Sequence, residues 1–225
     1  MLDSLISQLP IYLIRIPVIL IAIGVHESAH AWMSSKLGDD TAKMMGRITL
    51  NPLAHLDPLG VICLIFFGFG WAAPVQINPN NYKNKKAGII LSSLAGPLSN
   101  LILGFIGAIF FYFFMCFGYE PLTQLNSSVS YAVYLFLMIF MSLNISMAVF
   151  NLIPVPPLDG SNILFMFLPA KAYFALKKAQ RYITLAFLVL LWIGVLSTPL
   201  SLATTYIEEG MLFIIDWIYG LFYAV

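Results

Sequence analysis

Long apolar stretches dominate this chain and limit what it can fold into. They lie at roughly 9–35, 59–73, 87–117, 129–153, 160–168, 182–203 and 211–225. A helix needs about 20 residues to cross the hydrocarbon core of a bilayer, and several of these stretches are that long. Only 9% of the residues are charged, whereas a soluble domain needs roughly a quarter. The sequence therefore excludes a water-soluble globule and predicts an all-α polytopic membrane protein.

The stretch at 59–73 is too short to cross the bilayer and contains three glycines, which favours a re-entrant segment. If it does not cross, every lysine and arginine except Arg15 lies on one side, and the loops at 118–128 and 204–210 carry none. Cytoplasmic loops are enriched in Lys and Arg. We therefore predict about five transmembrane helices, with the N-terminus outside and the C-terminus in the cytoplasm.

Two short segments interrupt the helical pattern. Residues 47–52 and 75–79 both alternate apolar with polar side chains and both end at Asn-Pro. This pattern predicts a small β element on the cytoplasmic side. No internal repeat or separable soluble region is visible, so we expect a single domain over residues 1–225.

The charges and cysteines exclude other classes of function. The net charge is only +1 and no long basic run occurs, which argues against a nucleic-acid partner. Both cysteines, Cys63 and Cys116, lie in apolar stretches, which excludes a disulfide scaffold and a cysteine-rich metal site.

The first apolar stretch carries the sequence His26-Glu27-Ser28-Ala29-His30. Positions i and i+4 of a helix share a face, so two imidazoles can reach one metal ion while Glu27 lies beside a bound water. This spacing is the pattern of zinc hydrolases. The alternative is a pair of membrane histidines that hydrogen-bond to neighbouring helices. Charged groups within a span are costly and usually mark function, which favours the metal site.

A catalytic zinc site needs a third protein ligand and an open fourth position. Asp159 and His55 are the two candidates. Asp159 follows a proline-rich break in an apolar stretch, but Pro-Leu-Asp-Gly is also ordinary turn chemistry. His55 lies between Asn-Pro and Asp-Pro, which favours a loop with a structural or water-access role. The residues alone leave this choice open.

Taken together, the motifs resemble the site-2 proteases, which are intramembrane zinc metalloproteases of the M50 type. The matching motifs in chain order are His26-Glu27-x-x-His30, Gly46-Arg47-x-Thr49-x-Asn51-Pro52-x-x-His55-x-Asp57-Pro58-x-Gly60, Gly70-Trp71-Ala72-x-Pro74-Val75, Ala95-Gly96-Pro97-x-Ser99-Asn100 and Phe150-Asn151-Leu152-Ile153-Pro154-x-Pro156-Pro157-Leu158-Asp159-Gly160. Each glycine or proline motif is weak, but their order beside the zinc pattern is specific. Many members carry a further N-terminal span, a PDZ domain or a CBS domain, so the chain resembles a minimal form.

The resemblance implies specific roles for five residues. His26, His30 and Asp159 are expected to bind one Zn²⁺ per chain, Glu27 to act as general base, and Asn151 to help hold the substrate carbonyl. The alternative for Asn151 is a hydrogen bond to a neighbouring membrane helix. The expected function is an intramembrane zinc endopeptidase that cleaves within or near transmembrane segments of membrane-protein substrates.

Two other classes of function use the same residues. A metal-binding membrane transporter would need ionisable groups across the whole depth of the bilayer, whereas here they cluster at one site. A catalytically silent membrane binding protein would keep the motifs without the reaction. The sequence favours the protease and gives neither the substrate nor the oligomeric state.

Overall fold

The computed structural model describes residues 2–57, 59–60 and 72–223. Its α-helices are α1 (Leu2–Lys36), α2 (Thr41–Met44), α3 (Lys85–Phe113), α4 (Tyr119–Leu125), α5 (Ser127–Asn151), α6 (Asp159–Phe165), α7 (Ala170–Trp192) and α8 (Ser197–Tyr223). Short 3₁₀ turns occur at Pro52–Ala54 and Pro79–Asn81, and a π-helical turn at Phe114–Gly118 continues α3 into α4. The described part of the chain is thus helical, as the apolar stretches predict.

Three helical segments in the described ranges are long and apolar enough to cross a membrane, namely Ile11–Lys36, Lys85–Leu125 and Ser127–Asn151. A fourth span results if α7 and α8, which are bent by 79° at a short break, count as one. The predicted number of about five is therefore not confirmed. Most of the predicted re-entrant segment at 59–73 lies outside the described residues.

The predicted loop at 204–210 is wrong, because these residues lie inside α8. The chain breaks earlier, between α7 and α8, where Gly194 has a φ of +78°. A side chain strains a backbone in that region, so glycine favours ending the helix there. The polar residues Thr204 to Glu209 lower the hydropathy without preventing a helix.

The residues fall into two compact units. The first contains residues 1–22, 100–147 and 199–225. Its core includes Val18, Leu135 and Ile139, and α3 approaches α5 closely at Gly104, where an added Cβ would lie 2.6 Å from Ile145. Small residues at such contacts let membrane helices pack closely.

The second unit contains residues 23–99 and 148–198, and it holds every residue that the sequence nominates for catalysis or metal binding. Here residues 72–78, called the extended segment below, form only an isolated antiparallel bridge, between Ala72 and Leu56. Next to it the Ala73 N–H donates to the His55 carbonyl at 2.8 Å. No longer strand pairing occurs among the residues that are described, so the predicted β element is not confirmed.

Candidate metal centre

The structure brings His26, His30 and Asp159 together. His26 and His30 lie one turn apart on α1, and their Nε2 atoms are 3.1 Å from each other. Asp159 is the first residue of α6, and its Oδ2 lies 3.2 Å from the His26 Nε2 and 3.3 Å from the His30 Nε2. The helical repeat therefore places the imidazole pair, and the tertiary fold adds the carboxylate.

This donor set fits a zinc ion. Four ligand atoms around a tetrahedral Zn²⁺ at about 2.0–2.1 Å lie roughly 3.3 Å from one another, which matches the observed triangle. The two imidazoles are only 5% and 6% exposed. The Asp159 Oδ2 is buried and has no hydrogen-bond partner in the described part of the chain. A buried anionic oxygen that faces two ring nitrogens is satisfied by a shared cation.

A hydrogen bond at Nδ1, the ring nitrogen that faces away from this triangle, fixes the orientation of His30. Its Nδ1 lies 2.6 Å from the Ser92 carbonyl on α3. A carbonyl only accepts, so Nδ1 carries the proton and Nε2 presents its lone pair to the triangle. Such a partner sets the tautomer and ring angle of a metal-binding histidine. No sequence motif points to Ser92, because its contribution is a main-chain carbonyl that any residue type could supply.

Gly96 makes room for the imidazole pair. A Cβ built at this position would lie 2.4 Å from the His30 Nε2 and 2.7 Å from the His26 Nε2. The structure identifies what packs there, namely the two candidate ligands.

A compact loop delivers Asp159 to the site. The Leu158 N–H donates to the Val155 carbonyl at 3.0 Å, and the Ser161 hydroxyl donates to the Leu158 carbonyl at 2.7 Å. The Thr184 hydroxyl on α7 holds the Pro156 carbonyl at 3.0 Å. Gly160 follows Asp159, and a Cβ there would lie 2.2 Å from the Leu152 carbonyl oxygen. Hydrogen bonds at Pro156 and Leu158 thus fix the proline-rich break that carries Asp159.

Glu27 lies between the histidines in sequence and contacts the extended segment. Its Oε2 accepts a hydrogen bond from the Val75 N–H at 3.2 Å. The side chain is half-buried. The contact fixes one carboxylate oxygen by a main-chain donor.

The other two nominated residues, His55 and Asn151, also lie in this unit. Asn151 is the half-buried last residue of α5. His55 is fully buried, and its ring lies against Thr49 and Ser28. Among the described residues, the cluster of potential metal ligands consists of His26, His30 and Asp159.

Asp39 holds the far end of the extended segment, and sequence reasoning missed it. Its carboxylate accepts from the Thr41 hydroxyl at 2.5 Å, the Asn78 N–H at 2.7 Å, the Asn81 amide at 2.8 Å and the Ser34 hydroxyl at 3.0 Å. Burial alone would raise the pKa of this carboxyl, but the hydrogen bonds, that of Thr41 first, outweigh burial and lower the pKa to about 2. Asp39 is therefore ionised at neutral pH.

The chain is similar to known metalloproteases. The model for Peptidase family M50 matches residues 14–194. A Bacillus subtilis protein named "Putative zinc metalloprotease YwhC" is 40% identical over 76% of this chain and 77% of its own length. Two proteins named "Putative zinc metalloprotease Rip2", from Mycolicibacterium smegmatis and Mycobacterium tuberculosis, are each 28% identical, over 82% and 78% of this chain and 69% and 64% of their own lengths. No solved structure is significantly similar to the chain.

Proposed function

The chain belongs to peptidase family M50 and is a zinc metalloprotease of the multi-pass membrane type, and from this premise we propose that it cleaves peptide bonds within or near transmembrane segments of other membrane proteins. We assign one Zn²⁺ to His26, His30 and Asp159, and the general base to Glu27. The observation that supports this assignment is the triangle of ligand atoms 3.1–3.3 Å apart.

The chemistry of the reaction divides between the ion and the chain. Bound zinc acts as a Lewis acid that lowers the pKa of water to about 7. Glu27 accepts the proton of the attacking water and passes it to the leaving amine nitrogen. The Val75 N–H keeps the Glu27 carboxylate oriented, and Ser92 keeps the His30 Nε2 aimed at the ion. Asn151 donates its side-chain N–H to the scissile carbonyl.

A transmembrane substrate must be unwound before it is cut, because helical hydrogen bonds occupy its carbonyls. The extended segment offers replacement partners. It is held at Ala73 by His55, at Val75 by Glu27 and at Asn78 by Asp39, whereas the N–H groups of Gln76 and Ile77 have no partner among the described residues. We assign to these two residues the pairing with an unwound substrate by strand addition.

Proline substitution tests this pairing. Gln76→Pro or Ile77→Pro removes one N–H, so the KM for a transmembrane substrate is expected to rise about tenfold, the value of one backbone hydrogen bond. Gln76→Ala and Ile77→Ala keep the N–H and serve as controls. Cleavage kinetics in detergent measure the effect. Unchanged kinetics in both folded proline variants contradict the proposal.

The proposed orientation puts the site nearer the cytoplasmic face of the cell membrane, with the N-terminus outside. Four exposed basic residues on the first half of α7 fit this placement, since the cytoplasmic leaflet is anionic. They are Lys171, Lys177, Lys178 and Arg181. The exposed residues Leu185, Val189 and Trp192 continue the helix toward the lipid.

The assignment of the third ligand is tested by metal analysis of the purified protein. Asp159→Ala is expected to lose its zinc and all measurable cleavage, because two imidazoles alone leave the ion weakly held. His55→Ala is expected to keep about one zinc per chain. Asp40→Ala, which removes an exposed carboxylate outside the cluster, controls for general effects. Zinc loss in His55→Ala with retention in Asp159→Ala overturns the assignment.

A further inference from the structure

His55 is a buried histidine that the proposed reaction does not use. It is 0% exposed, and its Nε2 lies 2.9 Å from the Thr49 carbonyl oxygen. Because a carbonyl only accepts, Nε2 carries the proton and donates it to Thr49. Nδ1 then has a lone pair, and it has no partner within the described ranges. Among the described residues, the ring therefore forms its hydrogen bonds through Nε2.

The Thr49 carbonyl connects His55 to the helix turn that carries Glu27. The Ser28 hydroxyl donates to the same carbonyl oxygen, and the Ser28 Oγ lies 3.3 Å from the His55 Nε2. Ser28 directly follows Glu27 on α1. Rotation or displacement of this turn would therefore break a partly buried contact between Ser28, Thr49 and His55.

The backbone of His55 reaches Glu27 by a second route. Its carbonyl accepts from the Ala73 N–H at 2.8 Å, and the neighbouring Leu56 forms the bridge to Ala72. Two residues beyond Ala73, the Val75 N–H donates to the Glu27 Oε2. The loop at His55 therefore contacts both the helix turn of Glu27 and the segment that orients its carboxylate.

We propose that His55 is a positioning residue for Glu27, which holds α1 and the extended segment in the register that lets Val75 donate to the carboxylate. It binds no metal in this role. The inference rests on the proposed function, in which Glu27 is the general base. Small displacements of such a group lower the turnover number strongly and leave metal binding intact.

A matched pair of substitutions tests this role. Glutamine places its side-chain N–H near the position of the histidine Nε2, whereas asparagine reaches only the position of Nδ1. His55→Asn is expected to lower kcat about 10- to 100-fold, with KM and zinc content unchanged. His55→Gln is expected to restore kcat to within a few-fold of the wild type. A merely structural role would lower the zinc content or the folded fraction together with kcat, whereas positioning of Glu27 lowers kcat alone.

Further variants keep the test decisive. Ser28→Ala removes the other donor to Thr49, and a fall in kcat is expected there even if His55→Asn fails to fold. Ser35→Ala, on the same helix with an exposed hydroxyl bonded to Asp40, is the control. Equal kcat in the Asn and Gln variants, or loss of zinc in both, overturns the inference. If wild-type cleavage does not depend on Glu27, the proposed function fails instead.

Discussion

Replacing Glu27 with glutamine is expected to lower the rate of peptide cleavage by about 10²- to 10⁴-fold, the usual contribution of a general base. Glutamine has nearly the same shape, and its carbonyl oxygen can still accept from the Val75 N–H, which donates to Glu27 at 3.2 Å. It cannot accept the proton of water. Because Glu27 is not among the three clustered ligands, the zinc content should stay at about one per chain.

Purified wild type and Glu27→Gln are compared by zinc analysis and by cleavage of a transmembrane substrate in detergent or vesicles. Glu120→Gln, an exposed acid at the start of α4, controls for the loss of a negative charge. A transporter would keep metal flux in Glu27→Gln, and a silent binding protein would be indifferent to the change. If Glu27→Gln cleaves the substrate at the wild-type rate and binds the normal amount of zinc, Glu27 is not the general base.

Substitution of Gly96 by alanine is expected to weaken zinc binding at least about tenfold, and cleavage should fall with it. The added methyl group would lie 2.4 Å from the His30 Nε2 and 2.6 Å from the His26 Cε1. Real side chains do not approach so closely, so either α3 or the imidazoles must move. Both movements disturb the triangle with Asp159. Zinc titration against a competing chelator measures the loss of affinity.

Gly210→Ala is the matched control for this substitution. Gly210 lies inside α8, and a Cβ there would meet nothing within 4 Å. Alanine should therefore leave zinc affinity unchanged and stabilise the helix by up to about 1 kcal/mol. Normal zinc affinity in Gly96→Ala would mean that α3 does not approach α1 as the structure describes.

The local part of the site follows from the sequence, and the long-range part does not. Residues four apart share a helix face, so the pairing of His26 with His30 is set by the helical repeat alone. The choice between Asp159 and His55 depends on how distant segments pack, and the residues by themselves left it open. The resemblance to a family favoured Asp159, which the structure places beside both imidazoles. The role of Gly96 depends on the distance between α1 and α3, which no local pattern contains.

The same division between local pattern and long-range packing explains which predictions about the fold agree with the structure. Hydropathy locates α1, α3 and α5, because long apolar stretches have few alternatives in a bilayer. It misplaces the break near the C-terminus, since the decisive feature is the positive φ of Gly194 rather than the polarity of residues 204–210. Alternation in residues 47–52 and 75–79 predicts a β element that is not confirmed, because the pairing among the described residues is a single bridge between Leu56 and Ala72.

The anchoring of Asn78 by Asp39 limits how the extended segment can respond to a bound peptide. The main chain of this segment is bonded at Ala73 to the His55 carbonyl and at Asn78 to the ionised, buried carboxylate of Asp39. Sliding by one residue would remove the Asn78 N–H from that anion, which is a costly step. In the proposed strand addition the segment therefore acts as a stiff template, and an incoming peptide must supply the conformational adjustment. Selectivity among substrates would then depend more on how easily each substrate helix unwinds than on its side chains.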